Sequence, residues 1–219
     1  MALRLYATEF LRPLPEAAFH EGLGRLPDTL QSRILRFRRW EDAHAALLGK
    51  LLLRHALKAN EFPGTLEQLC YTAEAKPYFA AGPNFNISHS GNRVVCALST
   101  TGRVGIDIEA IKPLSFADFQ TQFTAREWLA IRGAADPVAA FYRFWTAKES
   151  LIKADGRGLG IPLLQLDVTD YRPIVLDGAR WTFQPLAFFP GYAAHLTTEE
   201  PNPEIILTEF SPDAIAAGL

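Results

Sequence analysis

Two cysteines, Cys70 and Cys96, are all the thiols in 219 residues. They sit in unrelated segments and are too few for a disulfide framework or a four-cysteine zinc site. A reduced, cytoplasmic setting and a packing role for both are therefore expected. A charge excess of one sign is also missing, since 22 Lys and Arg face 24 Asp and Glu for a formal net charge of −2. Without a global positive field the expectation is no nucleic-acid partner, and any bound anion must be held by a local cluster. Long apolar runs are absent as well. Arg4, Glu9 and Arg12 interrupt the N-terminal segment where a signal peptide needs an unbroken apolar core. No later stretch approaches the roughly 18 apolar residues of a membrane span, so no membrane partner is expected. Repeats and low-complexity linkers are lacking too. What is present is ordinary globular composition, 48% hydrophobic and 21% charged, in a length that suits one large domain or two small ones.

Local patterns place the elements. Residues 3–8 read as a first strand, and Pro27-Asp28 supplies helix-start chemistry. Trp40 to Ala59 is the clearest helix. Glu41 and Asp42 sit at its positive end and Arg54, His55 and Lys58 at its negative end, as the macrodipole favours. Leu47, Leu48, Leu51, Leu52 and Leu57 give it an apolar face. Strands over 85–88 and 93–99 flank a Ser90-Gly91-Asn92 turn, and another runs over 104–108. Thr124 to Glu127 fits a capping box that opens a short helix. A second long helix, 138–154, stops at Gly156, Gly158 and Gly160. Strands are expected at 164–168, 173–177, 180–184, 191–197 and 204–210. The fold class is α+β (mixed α/β), with a seam near Thr100 to Arg103.

Three segments concentrate chemistry. In the Gly105 to Glu109 strand, Asp107 and Glu109 are two apart and share a face, while Ile106 and Ile108 point the opposite way. Paired carboxylates repel, and a hard cation relieves that repulsion; the alternative is a solvated acidic strand end. On the second long helix Glu149 and Lys153 share a face with Trp145 one turn earlier. They are either a third carboxylate beside a phosphate-neutralising lysine or an ordinary i,i+4 ion pair. His89 leaves a strand into a Gly-containing turn, placed either for a ligand or to satisfy loop carbonyls. Ser88 and Ser90 adjoin it in sequence without the pattern of a nucleophile elbow, which excludes a serine-hydrolase reading. Gly156 to Gly160 follows a helix and lacks nucleotide-loop spacing, so it reads as a helix stop. The arginines from Arg33 to Arg39 are either a solvated face or the local cluster that an anion needs.

Taken in order, these segments resemble the Sfp-type 4′-phosphopantetheinyl transferases. The helix pattern W-[ST]-x-K-E-[SA]-x-x-K is met by Trp145, Thr146, Lys148, Glu149, Ser150 and Lys153. Gly105 to Glu109 meets G-[IV]-D-[IVL]-E, and Phe85 to Ser90 meets F-N-[ILV]-S-H-S. Phe123, Thr124 and Glu127 meet F-[TS]-x-x-E. Glu41 to His44 and Lys76-Pro77 are similar as well, so the likeness spans most of residues 33–162. It implies two similar α/β halves, 1–102 and 103–219, packed about a pseudo-twofold with coenzyme A in the cleft between them. It further implies transfer of the phosphopantetheine arm from coenzyme A to a serine of an apo acyl or peptidyl carrier protein, releasing 3′,5′-ADP. Asp107, Glu109 and Glu149 would be the ligands of Mg2+, with Mn2+ as the alternative. Lys153 and His89 would touch the diphosphate, with Glu149, Lys153 and His89 the catalytic set. Arg33, Arg36, Lys76 and Ser88 would complete the coenzyme A contacts. Leu30 and Ala45 stand where relatives carry cations, and Ala75 replaces a glycine before Lys76-Pro77. The resemblance also implies a monomer, with a carrier-docking region around 110–140.

Glu149, Glu127 or a metal-bound water are the candidates for the base, the capping role being preferred for Glu127. Phe116, Phe119, Phe123 and Trp128 are either docking residues or core. Two rival readings use the same residues: a metal-dependent nuclease or phosphoesterase, which should carry a basic stripe, and a coenzyme A or carrier binder without turnover, which would not need the acids and Lys153 intact. Carriers of fatty-acid, polyketide and nonribosomal-peptide systems all fit.

Overall fold

The computed structural model describes residues 2–218. The chain forms two compact units, one running to Thr101 and resuming at Glu204, the other spanning Gly102–Pro203. Among the described residues, no helix is long and apolar enough to cross a membrane.

The first unit holds β1 (Ala2–Glu9), α1 (Glu16–Gly24), α2 (Asp28–Ile34) and α3 (Trp40–Ala59), then β2 (Leu69–Tyr71), β3 (Pro77–Phe79), β4 (Asn84–Ser90) and β5 (Arg93–Ser99). Its main sheet has the order β10-β1-β5-β4, where β10 (Glu204–Phe210) pairs parallel to β1; β2 and β3 form a separate antiparallel pair. The last helix, α6 (Pro212–Ala217), is capped by Ser211 and packs with α1 and α3. The apolar face expected of α3 supplies buried Leu47, Leu48, Leu51 and Leu52 to a core shared with Val94, Cys96 and Leu98 of β5. Burial of each leucine contributes about 1.5–3 kcal/mol. His44 ties the chain before α1 to this helix: its Nδ1 donates to the Trp40 carbonyl at 2.8 Å, and its Nε2 accepts from Leu14 N at 3.0 Å. Burial lowers its proton affinity, in keeping with that neutral tautomer. Both cysteines are free, and burial pushes the Cys96 thiol up to about 12.

The second unit contains β6 (Val104–Ala110), α4 (Ala125–Gly133), α5 (Pro137–Asp155), β7 (Ile174–Leu176), β8 (Ala179–Pro185) and β9 (Tyr192–Thr198). Its antiparallel sheet has the order β6-β9-β8-β7, and α5 packs on β6, β9 and β8. Asp136 caps α5 at its start, and Gly156 ends it in a left-handed conformation at φ 96° that favours glycine.

The mixed α+β class holds. Three placements differ from expectation. Residues from Glu204 onward belong with the first unit rather than with 103–219, because β10 extends the β1 edge. The expected strand over 164–168 is a 3₁₀ turn at Leu163–Gln165 followed by irregular chain. Its backbone groups go to side chains instead of a ladder: the Leu163 carbonyl accepts from Lys148 Nζ at 2.9 Å, and Val168 N donates to Glu127 Oε1 at 3.0 Å. The helix α1, begun by Pro15, was not expected; it is nine residues long and buries Gly22 and Leu23.

The seating of α5 on β6 depends on Gly105. A Cβ there would lie 2.0 Å from the Ser150 carbonyl oxygen and 2.4 Å from Ala154 N, both backbone atoms that cannot move aside. Gly105→Ala should therefore lower stability by about 3 kcal/mol or more, the upper range for overpacking. A thermal melt superimposable on that of the wild type would contradict this packing.

Candidate functional site

Close approach at Gly105 sets which side chains of β6 are turned to the helix. Gly105, Asp107 and Glu109 share the strand face turned to α5, and their cross-strand partners Thr197, His195 and Ala193 lie on the same face. Two side-chain contacts fix the register of the helix against that face: Thr146 Oγ1 lies 2.8 Å from His195 Nδ1, and Ser150 Oγ lies 2.7 Å from Thr197 Oγ1. Thr146 already donates to the Tyr142 carbonyl, so its oxygen accepts from His195. Burial, with Arg143 adding to it, lowers the pKa of His195 to about 3 and keeps the ring neutral.

One helical turn further, Lys153 Nζ meets Asp107 Oδ1 at 2.5 Å. Asp107 is 2% exposed, which rules out a solvated acidic edge. The lysine's short contact is thus to the strand carboxylate, and it also acts electrostatically on Glu149 of its own helix. Burial raises the proton affinity of Glu149 above that of an ordinary carboxylate; Asp107 raises it further, Lys153 offsets part of this, and Glu109 adds to it. The structure thus brings Asp107, Glu109, Glu149 and Lys153 into one electrostatic neighbourhood. Among the described residues no group of three or more His, Cys, Asp or Glu side chains is arranged to hold a metal ion. The donor chemistry nevertheless fits a hard divalent cation: all three acids offer oxygen, and their mutual repulsion is what such a cation relieves.

Glu127 stands apart from that cluster. With Thr124 it forms the expected capping box, Thr124 N donating to Oε2 at 2.8 Å and Glu127 N donating to Thr124 Oγ1 at 3.1 Å. It is also half of a wholly buried ion pair with Lys148, Nζ to Oε2 at 2.7 Å, both side chains 0% exposed. Lys148 further donates to the carbonyls of Gln122 and Leu163 and sits over the Phe123 ring. Burial lowers the proton affinity of Lys148, and Glu127 opposes that. The neighbours Lys148 and Glu149 therefore serve different ends, one bracing the unit and one facing the strand carboxylates. Phe123 and Trp128 are core, packed with Phe141 and with the partly buried Phe116 and Phe119. Among the described residues of this region, Leu129 on α4 is the exposed large hydrophobic side chain, 76% exposed, which nothing in the sequence pattern marked.

In the first unit a cavity of about 350 Å³ gathers another part of the expected set. Arg33 and His89 line it, as do Leu30 and Ala45. Arg33 stacks on Tyr71, 4.5 Å from the ring centroid. Arg36 and Lys76 are not among its lining residues, although Ala75 and Pro77 beside Lys76 are. Ser88 is buried in β4. Ala75 has φ 63°, a left-handed conformation that explains why glycine suits this position better. Lys50 of α3 also lines the cavity and was missed, because a single lysine within a long amphipathic helix reads as a solvated position.

The comparisons agree with this division. Residues 103–197 match the family model of the 4′-phosphopantetheinyl transferase superfamily. Residues 13–101 match the model described as 4′-phosphopantetheinyl transferase, N-terminal. The 4′-phosphopantetheinyl transferase Sfp of Bacillus subtilis (strain 168) is 31% identical over 167 residues, 74% of each chain. The human L-aminoadipate-semialdehyde dehydrogenase-phosphopantetheinyl transferase is 39% identical over 166 residues, 67% of this chain and 53% of its own length. The gsp transferase of Aneurinibacillus migulanus is 36% identical over 136 residues, 61% of this chain and 57% of its own.

Neutralising Glu127 leaves Lys148 as an unpaired buried ammonium, at a cost of about 3–5 kcal/mol. Glu127→Gln should accordingly lower the melting temperature sharply while turnover, measured well below the transition, stays within a few-fold of wild type. An unchanged melting temperature with a large loss of rate would place Glu127 in the chemistry instead.

Proposed function

The chain belongs to the 4′-phosphopantetheinyl transferase family, and on that premise we propose that it moves the phosphopantetheine arm of coenzyme A onto a serine of an apo acyl or peptidyl carrier protein, releasing 3′,5′-ADP. The observation that carries this reading is the cluster of Asp107, Glu109, Glu149 and Lys153 on β6 and α5, within the segment matching the superfamily model. In the transfer, the serine oxygen forms a bond to the phosphorus bearing the pantetheine arm, and the bond from that phosphorus to the oxygen bridging to the adenosine side breaks.

Such a reaction is limited by charge: an anion-bearing diphosphate must be approached by a nucleophile and must release a phosphate. Asp107, Glu109 and Glu149 would hold a magnesium ion, or manganese, which withdraws negative charge from the diphosphate. Lys153, held at the same carboxylates by Asp107, orients and neutralises a phosphate oxygen. Glu149, beside the site of the reacting diphosphate, is the carboxylate assigned to take the serine proton. The complete burial of Glu127 and its bonds to Thr124, Val168 and Lys148 argue against that residue as the base. In the first unit, Arg33 and His89 line one cavity and are the residues there proposed to contact coenzyme A.

Release of 3′,5′-ADP, followed chromatographically with apo carrier and magnesium present, tests the assignment of Lys153. Lys153→Ala should slow it about 100-fold or more, comparable to losing one preorganised charge-stabilising donor, in protein that still melts cooperatively. A folded variant releasing 3′,5′-ADP at the wild-type rate removes Lys153 from the mechanism.

A further inference from the structure

Beside the acid cluster of the second unit stands a histidine that no step of the transfer uses. His195 of β9 is 1% exposed and is the cross-strand partner of Asp107, so its side chain leaves the sheet on the face that carries the carboxylate. The Tyr171 ring lies against it, with centroids 5.0 Å apart and planes at 26°. Tyr171 reaches that position at φ 50°, a left-handed conformation that is costly for a bulky residue, and Arg143 hydrogen-bonds its side chain. The imidazole held in this way bonds Thr146 Oγ1 through Nδ1 at 2.8 Å. Among the described residues, its buried Nε2 has no protein partner.

That bond does little for the fold. Thr146 already donates to the Tyr142 carbonyl at 2.8 Å, with the Arg143 carbonyl at 3.2 Å, so its hydroxyl proton is satisfied within α5. Nε2 gains no protein hydrogen bond in return for burial, and an apolar side chain would bury without that loss. What the bond does fix is direction. The neutral ring donates from Nδ1 and Thr146 accepts, whereas in the contact between Ser150 and Thr197, one helical turn on, either hydroxyl can donate. Thr146 also shares its helical face with Glu149 and Lys153, three and seven residues further along α5. Resting on the transfer reaction above, we propose that His195 is a positioning residue for it, setting through Thr146 where Glu149 and Lys153 stand over Asp107.

Steady-state release of 3′,5′-ADP by His195→Leu, Thr146→Val, the double variant and His195→Asn, alongside thermal melts, tests this. Displacing a reacting group by about 1 Å can cost about 100-fold in rate. Each single removal should therefore lower kcat about 10-fold or more, with the KM for coenzyme A within about 2-fold of wild type. The double variant should be no slower than the slower single, because both substitutions remove one contact. His195→Asn, whose amide donor takes the place of Nδ1–H, should recover most of the rate. Losses that multiply in the double variant, a rate that asparagine does not restore, or an unchanged kcat in either single overturn the assignment. A His195→Leu melting temperature far below wild type with normal turnover makes the ring a brace of the fold and overturns it as well. Should His195→Leu fail to fold, Thr146→Val against Thr146→Ser decides: a slow valine and a fast serine variant support the assignment, and equal rates overturn it. Wild-type protein that releases no 3′,5′-ADP overturns the transfer reading itself, and this assignment with it.

Discussion

The approach of β6 to α5 at Gly105 is the constraint on which the chemistry of this protein depends. Backbone meets backbone there, with the Ser150 carbonyl occupying the space a side chain would need. Once that contact is made, strand periodicity carries Asp107 and Glu109 along the same face, and helical periodicity carries Glu149 and Lys153 toward it. The hydrogen bonds between Thr146 and His195 and between Ser150 and Thr197 lock the sliding coordinate that a bare apolar contact would leave loose. A raised proton affinity at Glu149 is the electrostatic consequence, because burial and neighbouring carboxylates act on it together.

A second element of the design separates bracing from chemistry. Lys148 and Glu149 are adjacent, and consecutive helical side chains diverge by about 100°. Lys148 turns into the interior, where it ties the cap of α4, the Gln122 carbonyl and the turn at Leu163 to one helix. Glu149 turns to the strand. Buried ion pairs of this kind add little net stability over an apolar replacement, yet breaking one is costly, so the pair specifies an arrangement more than it strengthens it.

The sequence made the long helices and most of the second sheet legible, since α3 and α5 carry clear apolar periodicity, charged or capped starts and a glycine or asparagine stop. The acid cluster was legible too, in the alternation of β6 and the i,i+4 spacing of Glu149 and Lys153. Pairings across elements were not. Nothing local says that Lys153 reaches Asp107 on the strand, or that Glu127 pairs with Lys148 from a different helix. The 164–168 segment misled for the same reason: its residues alternate like a strand, but its backbone groups are taken by Lys148 and Glu127. Lys50 stayed hidden because a single lysine within a long amphipathic helix reads as solvated, and only the fold places it on a cavity wall. Ala75 was noticed as an odd residue, and its positive φ supplies the physical meaning.

On the proposed account, the carboxylates and the lysine of β6 and α5 handle the reacting diphosphate of coenzyme A. Intact-mass spectrometry of an apo carrier protein, after incubation with this protein, coenzyme A and magnesium, tests that account most directly. It predicts a gain of one phosphopantetheine mass, lost when EDTA is added and lost with Asp107→Ala. An unmodified carrier across fatty-acid and peptide-synthesis types, from protein that still binds coenzyme A, would contradict it.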